Sequence, residues 1–501
     1  MMTAMIKHHR SHLNNYFQTV PEQERSSAAI AYLATLDTLL ISAPEIASGI
    51  INELRDQRSH LKLIASENFC SLDVQLAMGN LLTDKYCEGY PGHRFYAGCA
   101  NIDAIETGAI EYAKKIFQSD HAYVQPHSGI DANLVAFWAI LLQRVQSKEV
   151  EIMGKKSLDE LDQGEYERLR QLLVNQKMMG LSLASGGHLT HGYRYNISSK
   201  MFQSVPYDVD PRTGLIDYKI LQEQVKREKP LILVAGYSSY PRRINFAKMR
   251  EIADSVNAVL LVDMAHFAGL VAGKVFQGDE DPVPSAHLVT STTHKTLRGP
   301  RGGFVLCTNE FKEFIDKSCP TVLGGPLPHV IAAKAVAFKE AAQPSFRQYA
   351  QQIVINSQEL AHTLMKGGAR LLTDGTDNHL LVLDVAASFG LTGRQAEKLL
   401  SEAKLTSSRN AIPQDAYGPW YTSGVRLGMA AVTTLGMKQQ EMREIGSIIL
   451  DLLKEAKPEG KAKVSADDHV LTKARKRVSA LLENFPLYPE LILKGEDDAS
   501  P

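Results

Sequence analysis

The sequence predicts an α/β protein, with a large domain on a mostly parallel sheet followed by a smaller C-terminal α/β domain. Three observations carry this. From about residue 105 to 310, short apolar, β-branched runs such as Ala122-Tyr123-Val124, Leu231 to Ala235 and Val259 to Asp263 alternate with amphipathic stretches, the pattern of buried strands covered by helices. Asp263 and Lys295 fall at the ends of two apolar runs, where parallel sheets gather their ligands. Near Pro344-Ser345-Phe346 the pattern changes, and a helix-like stretch from Gln348 to Lys366 leads to a separate strand, Leu380 to Asp384.

The 501 residues exceed one ordinary core, and two domains are expected with a boundary near 340. Residues 1–58 read as a helical arm that packs on something else, a second chain included, 59–340 as the large domain and 341–501 as the small one. Residues 144–179 are rich in charge, with Leu158, Leu161, Leu169 and Leu172 at helical spacing, and read as a surface helical insertion. The 55 basic and 56 acidic residues nearly cancel, which argues against a broad nucleic-acid or anionic-membrane surface. Five cysteines, Cys70, Cys87, Cys99, Cys307 and Cys319, form no C-x-x-C pair, so reduced thiols are expected rather than disulfides or a zinc site. The start Met1 to Arg10 leads into no apolar core, and no uncharged apolar run approaches the ~20 residues of a membrane span, so a cytoplasmic, soluble protein is expected.

The run Ser291-Thr292-Thr293-His294-Lys295-Thr296 places a lysine where an apolar strand enters the glycine-rich turn Arg298 to Gly303. A free lysine of pKa ~10.4 is protonated and a poor nucleophile, so an aldehyde cofactor needs one held on a rigid strand end and partly desolvated. Lys295 meets that need, though taken alone a surface lysine in a polar loop fits as well. A pyridine-containing cofactor also needs an acid beside its ring nitrogen, and Asp263 is the candidate; capping of the next helix is the simpler alternative. Its phosphate needs backbone N–H donors at a helix start, which His127-Ser128-Gly129 provides before the helical run Leu134 to Leu142. Gly186 to Gly192 carries His188 and His191 on a turn without an acidic or thiol ligand at metal spacing, so no metal is expected, and His188 reads as a ring stacked on the cofactor. Lys85 to Tyr96 is a Gly/Pro loop dense in titratable and aromatic residues, in which Glu88 is a candidate acid or base. Arg426, flanked by Gly424 and Gly428, suits an amino-acid carboxylate or an ordinary ion pair.

Taken together, these segments resemble serine hydroxymethyltransferases, fold-type I enzymes that depend on pyridoxal phosphate. The resemblance covers about residues 60 to 445 and rests on Leu63 to Asn68, Lys85 to Tyr96, Gln125 to Gly129, Gly186 to Gly192, Val262 to His266, Thr292 to Gly303 and Gly375 to His379. It implies that Lys295 binds pyridoxal 5'-phosphate covalently, that Asp263 pairs with its ring nitrogen and that His188 stacks on the ring. It also implies phosphate contacts from Ser128, Gly129 and His294, with His266 near the cofactor hydroxyl. By the same resemblance Arg426, Ser66 and Tyr96 hold the substrate carboxylate, Glu88 handles protons, and tetrahydrofolate enters beside Leu183, Leu189 and Asn410. Tyr86, Glu88 and Tyr96 would then serve a neighbouring subunit's site, with Gly325 as a further cofactor contact across the interface. A homodimer or dimer of dimers acting on serine, glycine and tetrahydrofolate is implied.

The sequence departs from the family's pattern at Ile130, where a small polar residue is frequent, at Phe95 in place of a tyrosine, and at a shortened glycine loop, Leu323-Gly324-Gly325-Pro326. Residues 144–179 read as longer than the family norm and lead toward the folate loop. Folate-independent aldol cleavage or racemisation on the same scaffold is the alternative activity, and a binding module that has lost catalysis is a third reading.

Overall fold

The computed structural model describes residues 11–493; the Met1 to Arg10 start lies outside the described residues. The described residues begin with the helices α1 (His12–Thr19), α2 (Ser27–Ser42) and α3 (Pro44–Ser59). Ser11 and Ser26 cap the first two by accepting backbone N–H groups, and Pro44 starts the third where a missing N–H costs nothing. Their apolar faces, with Tyr16, Leu33, Leu36, Ile51 and Leu54, pack on Phe69, Leu72, Leu487, Leu491 and Leu493 of the same chain. Arg58 adds hydrogen bonds to the carbonyls of Leu487, Tyr488 and Leu491. The arm therefore closes on the C-terminal end of its own chain, and a second chain is not needed to bury this face. Strand β1 (Leu61–Lys62) follows directly.

The large sheet is prepared by helix α4 (Ala100–Phe117) and begins with β2 (His121–Tyr123), after which comes helix α5 (Gly129–Leu141). Helix α5 is apolar on most of its surface because it is buried, with Val135, Phe137 and Ile140 set into the core under the sheet. Its helical path runs on through a π turn at Leu142–Gln146 and the short helix Ser147–Ile152. Helix α6 (Gln163–Val174) is fixed by a capping box between Asp162 and Glu165. The four leucines of this segment do not form one stripe. Leu158 sits in a separate short turn, Leu161 precedes α6, and within α6 Leu169 is buried while Leu172 packs against the core.

Strands β3 (Lys177–Leu181), β4 (Gln203–Tyr207), β5 (Ile232–Gly236), β6 (Val259–Asp263), β7 (Leu288–Thr292) and β8 (Gly303–Cys307) complete the sheet. Its seven strands run in the order β2-β8-β7-β6-β5-β3-β4, and only β8 is antiparallel to its neighbours. The three central strands β5, β6 and β7 are buried along their whole length, as expected when helices cover both faces; β5 and β6 are runs rich in Val, Leu and Ile, whereas β7 turns polar at Thr290-Ser291-Thr292. This is the fold-type I arrangement expected from the sequence. The carboxyl ends of these strands deliver Tyr237-Ser238, Asp263 to His266 and Thr292 to Lys295 to one side.

Helices α7 (Pro328–Ala341) and α8 (Pro344–Lys366) lead to β9 (Leu380–Asp384), β10 (Leu405–Thr406), β11 (Ser408–Asn410), β12 (Gly424–Gly428), α9 (Gln439–Lys454) and α10 (Asp468–Asn484). β9, β12 and β11 form an antiparallel sheet, and α8 packs along α9. The early strand β1 pairs in parallel with β10, so the chain just before Ser66 belongs spatially to this late unit. Gly428 makes that junction: its N–H donates to the Leu63 carbonyl at 2.8 Å, and a Cβ there would lie 2.2 Å from Ala65 Cα. Gly428→Ala is expected to cost about 1–3 kcal/mol by overpacking backbone against backbone, read as a lower denaturation midpoint. An unchanged midpoint would show that this junction yields. No helix among the described residues is long and apolar enough to cross a membrane.

Candidate active site

Two adjoining cavities open where the central strands end. The inner one, about 210 Å³, is lined by Ser128, Gly129, His188, Asp263, His266, Thr292, His294 and Lys295. The outer one, about 680 Å³, shares His188, His266, His294 and Lys295 and adds Ser66, Leu183, Leu189, Asn410 and Arg426. Twelve of the residues singled out from the sequence therefore converge on one place, although they come from both halves of the chain.

Ser128 caps α5: its hydroxyl accepts from the Asp131 N–H and donates to the Asp131 carboxylate. Gly129 opens the helix at a point where a Cβ would lie 2.7 Å from Thr292 Cγ2, so the helix start fits closely against β7. Backbone N–H groups of the first turn thus face the inner cavity, a ready anion site. Asp263 ends β6 and is 7% exposed. One oxygen accepts the Ala265 N–H, as a capping acid would, and the other accepts from Asn133 at 2.9 Å and lies 3.3 Å from His191 Nε2. Burial works against its charge, but the hydrogen bond from His191, the nearness of the His191 and His188 rings and the Asn133 hydrogen bond hold the carboxyl well below the usual carboxylate range. Asp263 is therefore an anion over the whole working range of pH.

His191 Nδ1 accepts the His188 N–H, which leaves Nε2 as the proton donor to Asp263. His188, His191 and Asp263 are close enough to suggest a metal triad. Both His191 nitrogens and both Asp263 oxygens are instead engaged in these hydrogen bonds. His188 Nδ1 takes hydrogen bonds from the Thr190 hydroxyl and N–H, and Asn133 donates to the same hydroxyl oxygen. Burial lowers the His188 pKa to about 4, so its ring is neutral and fit for stacking.

Lys295 is three residues past β7, its Nζ donating to Thr292 Oγ1 at 3.0 Å. Burial presses its ammonium down to about 8; the Asp263 carboxylate opposes this, and the cations Arg426 and Arg301 add to it. A useful fraction of free amine thus exists near neutral pH. His294 is pressed to about 3 by burial, and its Nδ1, like His127 Nε2, is buried without a hydrogen-bond partner. His266 is held neutral by burial and packs against His379, 3.2 Å between ring nitrogens.

Arg426 projects from the centre of β12, and burial lowers even its pKa to about 10. Its Nη1 donates to the Ser238 carbonyl at 2.7 Å, its Nε has no partner, and no carboxylate pairs with it among the described residues. A desolvated guanidinium facing a cavity without a counter-ion is built for an incoming anion. The residues present also fit pyridoxal phosphate: the α5 N-terminus for its phosphate, the Asp263 anion for its ring nitrogen, a neutral imidazole for its face and a deprotonatable amine for its aldehyde.

Tyr86, Glu88, Tyr96 and Gly325 line neither cavity. They gather elsewhere on the surface, where the Tyr86 and Tyr96 rings lie 4.8 Å apart, the Tyr86 hydroxyl is 3.4 Å from Glu88, and a Cβ on Gly325 would touch the Tyr86 ring at 3.4 Å. Arg94 secures this loop from inside by binding Asp103, the buried Glu106 and the carbonyls of Cys87 and Gly89. Phe95 is 70% exposed beside it, and Ile130 lies at the rim of the inner cavity.

Sequence reasoning passed over Asn133, Thr190 and the orienting role of His191. Asn133 had a signal, since it stands four residues after Gly129 and so shares the helix face that meets the cavity. The His191 contact had none, because it depends on how the turn folds back over β6.

Comparison with known proteins agrees with this geometry. The serine hydroxymethyltransferase family matches over residues 39–158 and 160–449, so the match runs through 144–179 with a break only at residue 159. A serine hydroxymethyltransferase of Treponema pallidum (strain Nichols) is 55% identical over 488 residues, 96% of this chain and 85% of its own length. One from Mycolicibacterium smegmatis is 55% identical over 469 residues, 93% of this chain and 96% of its own. One from Chlamydia muridarum is 51% identical over 491 residues, 96% and 99% of the two chains. With the motifs, the fold and these relatives in agreement over nearly the whole length, the chain belongs to the serine hydroxymethyltransferase family.

Proposed function

We propose that the protein transfers the hydroxymethyl carbon of serine reversibly to tetrahydrofolate, giving glycine and 5,10-methylenetetrahydrofolate, with pyridoxal 5'-phosphate held on Lys295. The observation that carries this is the buried Arg426, without a carboxylate partner, in the outer cavity with Lys295, which also lines the adjoining inner cavity with Asp263. When bound, pyridoxal phosphate supplies an electron sink for the pair left when a bond to the amino-acid α-carbon breaks. Asp263, fixed by Asn133 and His191, holds a proton at the cofactor's ring nitrogen and so sustains that sink. Arg426 takes the serine carboxylate with Ser66 beside it, which orients the α-carbon toward Lys295. Leu183, Leu189 and Asn410 at the outer cavity offer an apolar wall and an amide for the folate ring.

Glu88 is the acid–base group for the hydroxymethyl oxygen and the folate, acting in the site of a second copy. Tyr86, Glu88, Tyr96 and Gly325 lie together yet line neither cavity of their own chain, which supports this homodimeric reading, since one surface would deliver all of them together. Glu88→Gln should lower folate-dependent serine cleavage by about 10²–10³-fold while sparing folate-independent aldol cleavage. Equal losses in both would contradict the role. Mixing inactive Lys295→Ala and Glu88→Gln proteins and letting subunits exchange should restore about a quarter of wild-type activity, because only hybrid dimers carry one intact site. No recovery despite exchange would place Glu88 in its own subunit's site. Five free cysteines, four of them buried, support a reducing cytoplasmic setting.

The direct test of the activity is the visible spectrum of the purified protein with glycine, before and after tetrahydrofolate. A long-wavelength band that grows sharply only with folate is expected. A spectrum indifferent to folate would turn the reading toward an aldolase or racemase.

A further inference from the structure

A fully buried lysine that lines neither cavity sits behind the helix start that would hold the phosphate. Lys334, on α7 where that helix packs along α4, is 1% exposed. Its ammonium donates to three backbone carbonyls, those of Val124 at 2.6 Å, Pro126 at 2.8 Å and Gly303 at 2.9 Å. All three N–H donors are thereby used. The carbonyls belong to the two segments that frame the anion site, the run from β2 to Ser128 and the first residue of β8. The Gly303 N–H also donates to Pro126, and a Cβ on Gly303 would lie 2.2 Å from the Ser128 carbonyl oxygen, so the two segments touch directly behind the cradle. Gly302 makes room for the lysine, since a Cβ there would come within 2.5 Å of Lys334 Cε.

The charge is the unexplained part. A neutral donor would tie carbonyls together at a smaller desolvation cost, and no carboxylate forms an ion pair with Lys334 among the described residues. The nearest buried acid, Glu106, is taken by Arg94 at 2.6 Å and Gln125 at 2.7 Å. Asp131 is taken by Ser128. Burial presses Lys334 down to about 7 against the pull of Glu106 and Asp131, so the site holds a cation that its surroundings barely sustain. A dianion bound at the N-terminus of α5 would supply the missing counter-charge across a medium that screens poorly.

We infer that Lys334 is a positioning residue for the cofactor phosphate, tying residues 124–126 to Gly303 so that the Ser128-Gly129 cradle keeps its shape and supplying the fixed positive charge behind it. The inference rests on the cofactor reading above. It separates from a purely structural role because it concerns the phosphate and not the ring. Lys334→Met and Lys334→Gln holoenzymes, followed by visible absorbance during dialysis, are compared with the wild type, and the apo proteins are then titrated with pyridoxal 5'-phosphate and with phosphate-free pyridoxal. Lys334→Met should lose pyridoxal phosphate faster by on the order of tenfold or more, with Lys334→Gln between it and the wild type, while pyridoxal affinity stays the same. Unchanged retention of pyridoxal phosphate, or an equal loss for both aldehydes, would overturn the inference. If the methionine variant does not fold, the glutamine variant, which keeps two N–H donors without the charge, gives the same comparison. A wild-type protein that takes up pyridoxal but shows no preference for its phosphate would overturn it as well, whereas one that binds neither aldehyde would bring down the cofactor reading itself.

Discussion

Lys295→Ala is expected to fold normally and to lose serine turnover by on the order of 10³-fold or more, measured as glycine formed with tetrahydrofolate in excess. The size of the effect follows from the position. The lysine is the one primary amine lining the inner cavity, and burial has already brought it to about 8, so much of the work of making a nucleophile is done by the fold. The substitution removes that group without disturbing the anion site at α5 or the Asn133–Asp263–His191 hydrogen bonds, which do not include Lys295. Normal turnover would remove Lys295 from the chemistry altogether. Stability should move the other way. An ammonium whose pKa falls from 10.5 to about 8 on folding opposes the folded apo protein fully below pH 8, and the opposition fades as pH rises toward 10.5. An isosteric Lys295→Met apo protein should therefore melt higher than the wild type at pH 7 and lose most of that advantage by pH 10.

Arg426→Ala is expected to reduce kcat/KM for serine by about 10²-fold, chiefly through a higher KM, as the loss of a charge-assisted carboxylate contact predicts. Here too the structure separates binding from folding. Arg426 contributes one hydrogen bond to the Ser238 carbonyl and leaves its Nε unpaired, so removing it strands no buried carboxylate. The melting temperature should stay level or rise. A buried guanidinium without a carboxylate partner is a source of instability, and the proposed carboxylate-binding role would account for its retention. Unchanged affinity for serine would show that the substrate carboxylate lies elsewhere, and a large fall in stability would show that the guanidinium serves packing instead.

The contrast between Lys295 and His191 shows what could be read in the chain. Lys295, Asp263 and Gly129 announce themselves because each needs a residue type at a special point of a local pattern: an amine and an acid at the ends of buried strands, a glycine at a helix start. Periodicity likewise marks β6 and β9 at their observed bounds and the long α8 to within a turn of its start. By contrast, the leucines of 144–179 have helical spacing on paper but fall into a turn, a linker and α6, because the Asp162 capping box starts a new helix between them. The arm of residues 11–59 offers an apolar face without naming its partner, and only the folded chain shows it closing on Leu487 to Leu493.

By itself, then, the sequence determined the fold class, the order along the chain of the strands that end at the cavities and the residue types proposed for the chemistry, because these depend on short-range period and on special backbone positions. The tertiary structure alone decided which of those residues meet. It joined β1 to β10 and so brought Ser66 beside Arg426, it turned His191 back onto Asp263, it set Lys334 behind the helix start at Ser128-Gly129, and it left Glu88 out of both cavities that Lys295 lines. Each of these contacts spans many residues of intervening chain, and their geometry follows from how helices and sheet pack around one core, which no local pattern records.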